Sequence, residues 1–200
     1  MNLALFDFDG TLSTKDSLGE FFKYALGDIK YYLTLIKFAP IFILWQLKFI
    51  KNYRAKEILF KMFFKGIDEK TFKDLAEKFS LEELDKMINK DVYEKFTKHK
   101  KDGDRVIIVS ASMRCWLDAW CKKESVELIS TELLFEDKIF KGKFATKNCH
   151  GIEKFNRIIE YLNMNDYDSI YAYGDSSGDT QMLEMADHKY LIKDGSIKEI

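Results

Sequence analysis

Residues 3–12, Leu-Ala-Leu-Phe-Asp-Phe-Asp-Gly-Thr-Leu, constrain this chain more than any other stretch. Four apolar residues read as a buried strand, yet the strand runs straight into two carboxylates one residue apart, Asp7 and Asp9. Charges rarely stand at the end of a core strand without partners. At ~4 Å, two like charges near a protein surface repel by about 4 kcal/mol at an effective dielectric constant of 20. Any fold the chain adopts must therefore bring positive charge to that strand end.

The pattern beyond it changes style once. Residues 14 to about 100 read almost entirely helical. In "SLGEFFKYAL" the apolar positions 18, 21, 22, 25 and 26 lay one stripe along a helix, and the Lys-, Glu- and Leu-rich run from Thr71 to Phe96 continues in kind. From residue 104 strands and helices alternate. "DRVIIVS" and "VELIST" read as strands around the helical spacing of "MRCWLDAWCKK", and "LLFEDKIFKGKF" as a hairpin with turns near Asp137 and Gly142. "IEKFNRIIEYLN" is an amphipathic helix, "DSIYAYGD" a strand ending on a carboxylate, and "GDTQMLEMA" a helix. Such alternation implies crossover units and parallel pairing. The expected fold is α/β: a doubly wound, Rossmann-like parallel sheet with an inserted all-helical domain and a small β-hairpin. Residues 1–13 and 101–200 form its core, and residues 14–100 the insertion.

At 46% hydrophobic and 15% aromatic, 200 residues can bury a sizeable core. The net charge of −1 gives no support for a nucleic-acid partner. Cys115, Cys121 and Cys149 form no paired motif and are odd in number, which fits a reduced, cytoplasmic chain without a structural zinc site. Residues 31–50, "YYLTLIKFAPIFILWQLKFI", raise the question of a membrane. Lys37, Pro40, Gln46 and Lys48 break the stretch well short of the roughly 20 apolar residues that a spanning helix needs. A partly buried helix and an element resting on a membrane surface both remain open for it.

Open parallel sheets form ligand sites beyond the carboxyl ends of their strands. Here those ends deliver Asp7 and Asp9, Ser110, and Asp175 with Asp179 four residues on, and Lys154 joins them. Four carboxylates in one crevice require a cation. Hard oxygen ligands that leave room for substrate oxygens suit Mg²⁺.

Taken in order, "DFDGT", "VSAS", a downstream lysine and "GDSSGD" resemble the four signature motifs of the haloacid dehalogenase superfamily, and residues 14–100 stand where that superfamily carries a helical cap. The resemblance implies a role for each residue. Asp7 is the nucleophile that takes the phosphoryl group. Asp9 is the general acid and then base, with its backbone carbonyl on the metal. Ser110, next to Ala111, binds a phosphoryl oxygen. Lys154, which suits the family spacing better than Lys147, offsets charge, while Asp175 and Asp179 join Asp7 and Asp9 in holding the metal. Thr11 braces the first loop and contacts substrate. Dehalogenases of the superfamily lack the second acid and the phosphorylated ion pumps have threonine there, so Asp9 implies phosphate-ester hydrolysis.

Several residues carry a second, plainer reading. Asp16 stands where phosphoserine phosphatases have a cap glutamate, and it equally suits the cap of a helix near Ser17. Arg54 either clamps an anionic part of the substrate or sits solvated. Ser112 reads as the N-cap of the helix after it. His99, His150 and His188 read as surface or loop residues, and Cys115, Trp116, Trp120 and Cys121 as a helix packed on the sheet.

Two substrate classes compete. One is a small soluble phosphomonoester, on the phosphoserine phosphatase pattern. The other is a lipid phosphate such as phosphatidylglycerophosphate, because "FKYALGD", "FFKGID" and "NCHGIEKFNRI" are similar to phosphatidylglycerophosphatase C and its relatives. The second carries an expectation of contact, through the cap, with the inner face of a membrane. The rival outside enzymes is a receiver domain, a phospho-aspartate switch, which is much shorter and has no "GDSSGD" segment.

Overall fold

Strand β1 (Leu3–Phe6) has every side chain fully buried, and a strand with no exposed face belongs at the middle of a sheet. The computed structural model, which describes residues 1–200, has it there. Five helices follow: α1 (Ser17–Leu26), α2 (Asp28–Gln46), α3 (Asn52–Phe64), α4 (Glu69–Glu83) and α5 (Lys90–Lys101). Then come β2 (Arg105–Met113), α6 (Arg114–Glu124), β3 (Glu127–Thr131) and the hairpin strands β4 (Leu133–Glu136) and β5 (Ile139–Phe144). The order closes with α7 (Ile152–Tyr161), β6 (Ile170–Gly174), α8 (Thr180–Glu184), β7 (His188–Lys193) and β8 (Ser196–Glu199).

The six-stranded sheet runs β3-β2-β1-β6-β7-β8, parallel throughout except for the antiparallel β7–β8 pair. From β1 the chain winds outward on one side and crosses back to β6 on the other, the switch point where α/β sheets form a crevice. Side chains alternate across the sheet as strand geometry requires. Ala4 and Phe6 enter a large aromatic cluster with Phe96 of α5 and Trp116 and Trp120 of α6. Leu3 and Leu5 enter a smaller one with Ile158 of α7 and Met182 of α8. The doubly wound sheet, the helical insertion and the separate small hairpin all agree with the sequence.

The insertion is not hinged away from the sheet. Phe21, Phe22, Phe60, Phe64, Phe72 and Phe79, from α1, α3 and α4, belong to the same cluster as Phe6 of the central strand. Phe21 stacks on Trp116 with ring centroids 4.7 Å apart. The hairpin joins from the other side, where Phe140 exchanges backbone hydrogen bonds with the α3–α4 connection at Gly66 and Ile67.

Four local expectations need correction. The helical run from Thr71 to Phe96 is broken by a 3₁₀ turn at Leu84–Met87, after which Asn89 caps α5. That break lets α5 turn onto the sheet, where Phe96 packs on Phe6, so residues 90–100 of the expected insertion wall the core. Gly142 lies inside β5 rather than at a turn; its φ is +72°, and a Cβ there would stand 3.0 Å from Lys61 of α3. The hairpin turn uses Asp137 and Lys138, both at positive φ, as two-residue hairpin turns require. His99 is buried rather than at the surface, held by Asp104 at 2.7 Å and by the Tyr173 hydroxyl at 2.9 Å. The β7–β8 hairpin was also not expected; its turn is the pair Asp194-Gly195, again both at positive φ.

Candidate active site

Three adjacent strands deliver the site. Asp7 follows β1 directly and extends its ladder, its N–H donating to the Tyr173 carbonyl at 2.9 Å. Asp175 follows β6, and Ser110 lies near the end of β2, 1% exposed. Lys154, in the first turn of α7, is 2% exposed and reaches back under the strands. Its Nζ donates to Asp7 Oδ1 at 2.6 Å and to Asp179 Oδ1. A buried ammonium needs such partners. Lys147 has an 83% exposed side chain facing Glu153, so Lys154 is the lysine that joins the cluster.

Asp7, Asp175 and Asp179 bring one carboxylate oxygen each within 4.8 Å of one another. Against one ammonium, three ionised carboxylates leave a formal charge of −2, which a divalent cation would neutralise. Burial pushes the Asp7 carboxyl well above the usual carboxylate range, with help from the charge on Asp179, and Lys154 pulls against both. Asp175 is pushed up to about 6, by burial first and then by Asp179. Burial raises Asp179 too, but the charge and hydrogen bond of Lys154 outweigh it and hold the group below its ordinary value. Its Oδ2 accepts from the Ser176 N–H and hydroxyl, both at 3.1 Å. Gly10, at φ +79°, lies so close to Asp175 that a Cβ would fall 2.3 Å from its Oδ2. Side-chain oxygens, net negative charge and a backbone cradle open only to glycine together fit Mg²⁺, with Asp7, Asp175 and Asp179 as the residues able to hold it.

Asp9 is held apart from that cluster. Its Oδ1 accepts from the Ser17 N–H at 2.7 Å, in the first turn of α1, and its Oδ2 accepts from the Ser112 hydroxyl. The Ser17 and Ser112 hydroxyls are 2.9 Å apart, and the Trp116 indole N–H donates to Ser17 Oγ at 3.1 Å. Burial, and then the charge on Asp16, push the Asp9 carboxyl up, which favours its protonated form. Ser112 was expected to cap α6, but Met113 occupies that position and the Ser112 hydroxyl serves Asp9 instead. The Ser112 N–H donates to Ser110 Oγ at 3.1 Å.

The remaining sequence candidates fall at varied distances from this centre. Thr11 is fully buried, and its hydroxyl has no partner within the chain. Backbone bonds such as Ser13 N–H to Phe8 O at 2.8 Å close the loop around it. Ala111 is half-buried, and its carbonyl accepts from the Thr131 hydroxyl at 3.2 Å. Asp16 caps α1, its Oδ1 accepting from the Leu18 and Gly19 N–H groups, and it also lines a cavity of about 360 Å³ between α1, α2 and α3. Phe22, Tyr31, Phe38, Phe42 and Trp45 line the same cavity. Arg54 is turned to solvent, paired with Glu57 at 3.0 Å. The cation lining the cavity is Lys56, whose charge also acts on His150. His150 is an exposed loop residue, as expected, and it sits against Gly178, where a Cβ would meet its Nε2 at 2.6 Å. Burial raises the thiols, Cys121 to about 12 and Cys149 to about 11, which suits packing and not thiolate chemistry.

Ser17, Ser112, Ser176, Lys56 and His150 were not among the sequence candidates. Helical phase marks Lys56 as sharing a face with Asn52 and Leu59, three or four residues away. No sequence signal pairs Ser112 with an acid 103 residues earlier.

Known proteins resemble this chain in sequence and in fold. The sequence pattern of the haloacid dehalogenase-like hydrolases matches residues 4–184. Protein CicA of Caulobacter vibrioides is 30% identical over 190 residues, which cover 94% of this chain and 84% of CicA. A Bordetella pertussis Tohama I protein of unknown function superposes with a TM-score of 0.81 at 19% identity, over 94% of this chain and 88% of that one. A substrate-bound phosphoserine phosphatase superposes with a TM-score of 0.67 at 15% identity, over 94% and 84%.

Proposed function

The chain belongs to the haloacid dehalogenase-like hydrolases, and from that premise we propose that it hydrolyses a phosphomonoester through an aspartyl-phosphate on Asp7, with Mg²⁺ as cofactor. The observation that carries this reading is one buried cluster: Asp7 paired to Lys154, flanked by Asp175 and Asp179, with a second acid two residues along the chain.

Asp7 would attack phosphorus with the oxygen that Lys154 leaves free. The bond from phosphorus to the ester oxygen breaks, and Asp9, whose raised pKa keeps a proton available, gives that proton to the departing alkoxide. Asp9, now ionised, takes a proton from water, and the hydroxide displaces Asp7 from phosphorus. Inorganic phosphate leaves and both carboxyls return to their starting state. Lys154 balances negative charge on Asp7 and the phosphoryl oxygens throughout, and Ser110 offers a hydroxyl at the end of the neighbouring strand. Bound Mg²⁺ supplies further positive charge to the phosphoryl oxygens.

The cap supports a finer reading of the substrate. A pocket lined by five aromatic rings of α1 and α2, with only Asp16, Asn52 and Lys56 otherwise polar, suits a phosphoester with an apolar body better than phosphoserine. A lipid phosphate such as phosphatidylglycerophosphate has that chemistry. The second reading, a small polar monoester, draws on the likeness to phosphoserine phosphatases and on Asp16 at the cavity wall.

Phosphate release from p-nitrophenyl phosphate, phosphoserine and a lipid phosphate in detergent, each with Mg²⁺ and with EDTA, tests both levels. The expected result is Mg²⁺-dependent turnover, fastest on the lipid phosphate. Turnover unaffected by Asp7→Asn would overturn the chemistry, and faster release from phosphoserine would overturn the finer reading.

A further inference from the structure

Helix α2 is apolar on two opposite faces. At about 100° per residue, Tyr31, Leu35, Phe38, Phe42 and Trp45 share one face, and all five line the cavity beside Asp16. Ile29, Leu33, Ile36, Pro40, Ile43 and Leu47 fall on the other. The five hydrophobics among them are 56–80% exposed, and Phe49, 78% exposed, extends the stripe past the helix. Scattered exposed apolar residues need no explanation, but a continuous stripe five turns long does.

Charge identifies what covers it. Residues 29–56 contain six basic side chains and no acidic one, so this segment carries +6 in a chain of net −1. Lys30 and Lys37 lie along one flank of the stripe, and Lys48 and Lys51 follow at its end. Lysine stems can run beside a buried apolar face while their ammonium groups stay in water. No helix of the chain is long and apolar enough to cross a membrane. The one acid of α2, Asp28, stands at its N-terminus and pairs with Lys23 at 3.4 Å, so the stripe itself is flanked by lysines alone, which matches a surface that is apolar inside and anionic at its boundary.

We propose that α2 lies in the interfacial plane of an anionic lipid bilayer, its exposed stripe among the upper acyl chains and its lysines at the headgroups. The inference goes beyond hydrolysis and holds whichever phosphoester is cleaved, because the outer stripe is not part of the cavity lining.

Co-sedimentation with vesicles tests it, comparing phosphatidylglycerol–phosphatidylcholine mixtures with phosphatidylcholine alone. Binding should appear with the anionic vesicles and be at least about tenfold weaker without them. Ile36→Glu combined with Ile43→Glu should weaken it by about tenfold or more. That variant should keep the parent's thermal midpoint and turnover of p-nitrophenyl phosphate. Asp7→Asn should bind vesicles like the parent, which separates docking from catalysis. Absence of binding to anionic vesicles, or equal binding to both kinds, overturns the proposal. So does a parent that is dimeric in solution and becomes monomeric in the double variant, since a second copy would then occupy the stripe.

Discussion

Strand β1 and helix α2 stand at opposite extremes of this molecule. β1 has four residues, all fully buried, with hydrogen-bonded neighbours on both sides. α2 has nineteen, of which only Phe38 is buried. Both are rich in apolar residues, so hydrophobicity alone does not determine burial. β1 is fixed because its backbone must pair and both its faces meet helices, whereas α2 satisfies its own backbone and can leave a face open. Groups that must hold a fixed geometry follow the strand. Groups that meet whatever arrives lie on the helix.

Substitutions at the two regions should differ accordingly. The largest effect belongs to the strand end: Asp7→Asn should lower turnover by about 10⁴-fold or more, measured as steady-state phosphate release. Lys154→Met leaves two buried carboxylates without their ammonium. Chemical denaturation without metal should show a loss of about 3–5 kcal/mol, and Mg²⁺ should restore part of it. Ser112→Ala removes one of two hydrogen bonds to Asp9. Turnover should fall roughly tenfold to a hundredfold and the alkaline limb of the kcat/KM–pH profile should move to higher pH, because the Ser112 hydrogen bond lowers the Asp9 pKa, while thermal stability changes little.

Metal binding should depend on pH in a direction fixed by Asp175. Its pKa of about 6 lies above the ordinary 3.8, so in the metal-free protein its stabilising contribution is full below 3.8 and lost as pH rises through about 6. Mg²⁺ takes the ionised form. The rise in thermal midpoint on adding Mg²⁺ should thus be larger near pH 7.5 than near pH 5. The smallest effect belongs to α2, where Leu33→Ser should change stability by no more than about 0.5 kcal/mol. A large loss there would mean that the exposed stripe packs against something, and the contrast with β1 would fail.

Much of this was legible in the sequence because it is local or periodic. The Asp7–Asp9 pair, the strand before it, the alternation after residue 104 and the "GDSSGD" segment each announce themselves within ten residues. Lys154 was legible through spacing, and its burial between Asp7 and Asp179 follows from the same topology. What escaped was long-range or depended on where a helix breaks. The α4–α5 break is made by a 3₁₀ turn inside a run of good helix formers, so nothing in residue preference marks it. His99 looks solvated on a lysine-rich helix until Asp104 and Tyr173 close around it. The β7–β8 hairpin carried a usable signal in Asp194-Gly195, but β8 has only four residues and is largely exposed.

The N–H that Ser17 donates to Asp9 belongs to the first turn of the first cap helix, and Phe21, one turn on, is stacked against Trp116. Asp9 is therefore tethered to the helical insertion through Ser17 as well as to the sheet through Ser112. Any displacement of α1 would stretch the Ser17 hydrogen bond, so the geometry of this carboxyl depends on how the helical insertion is packed.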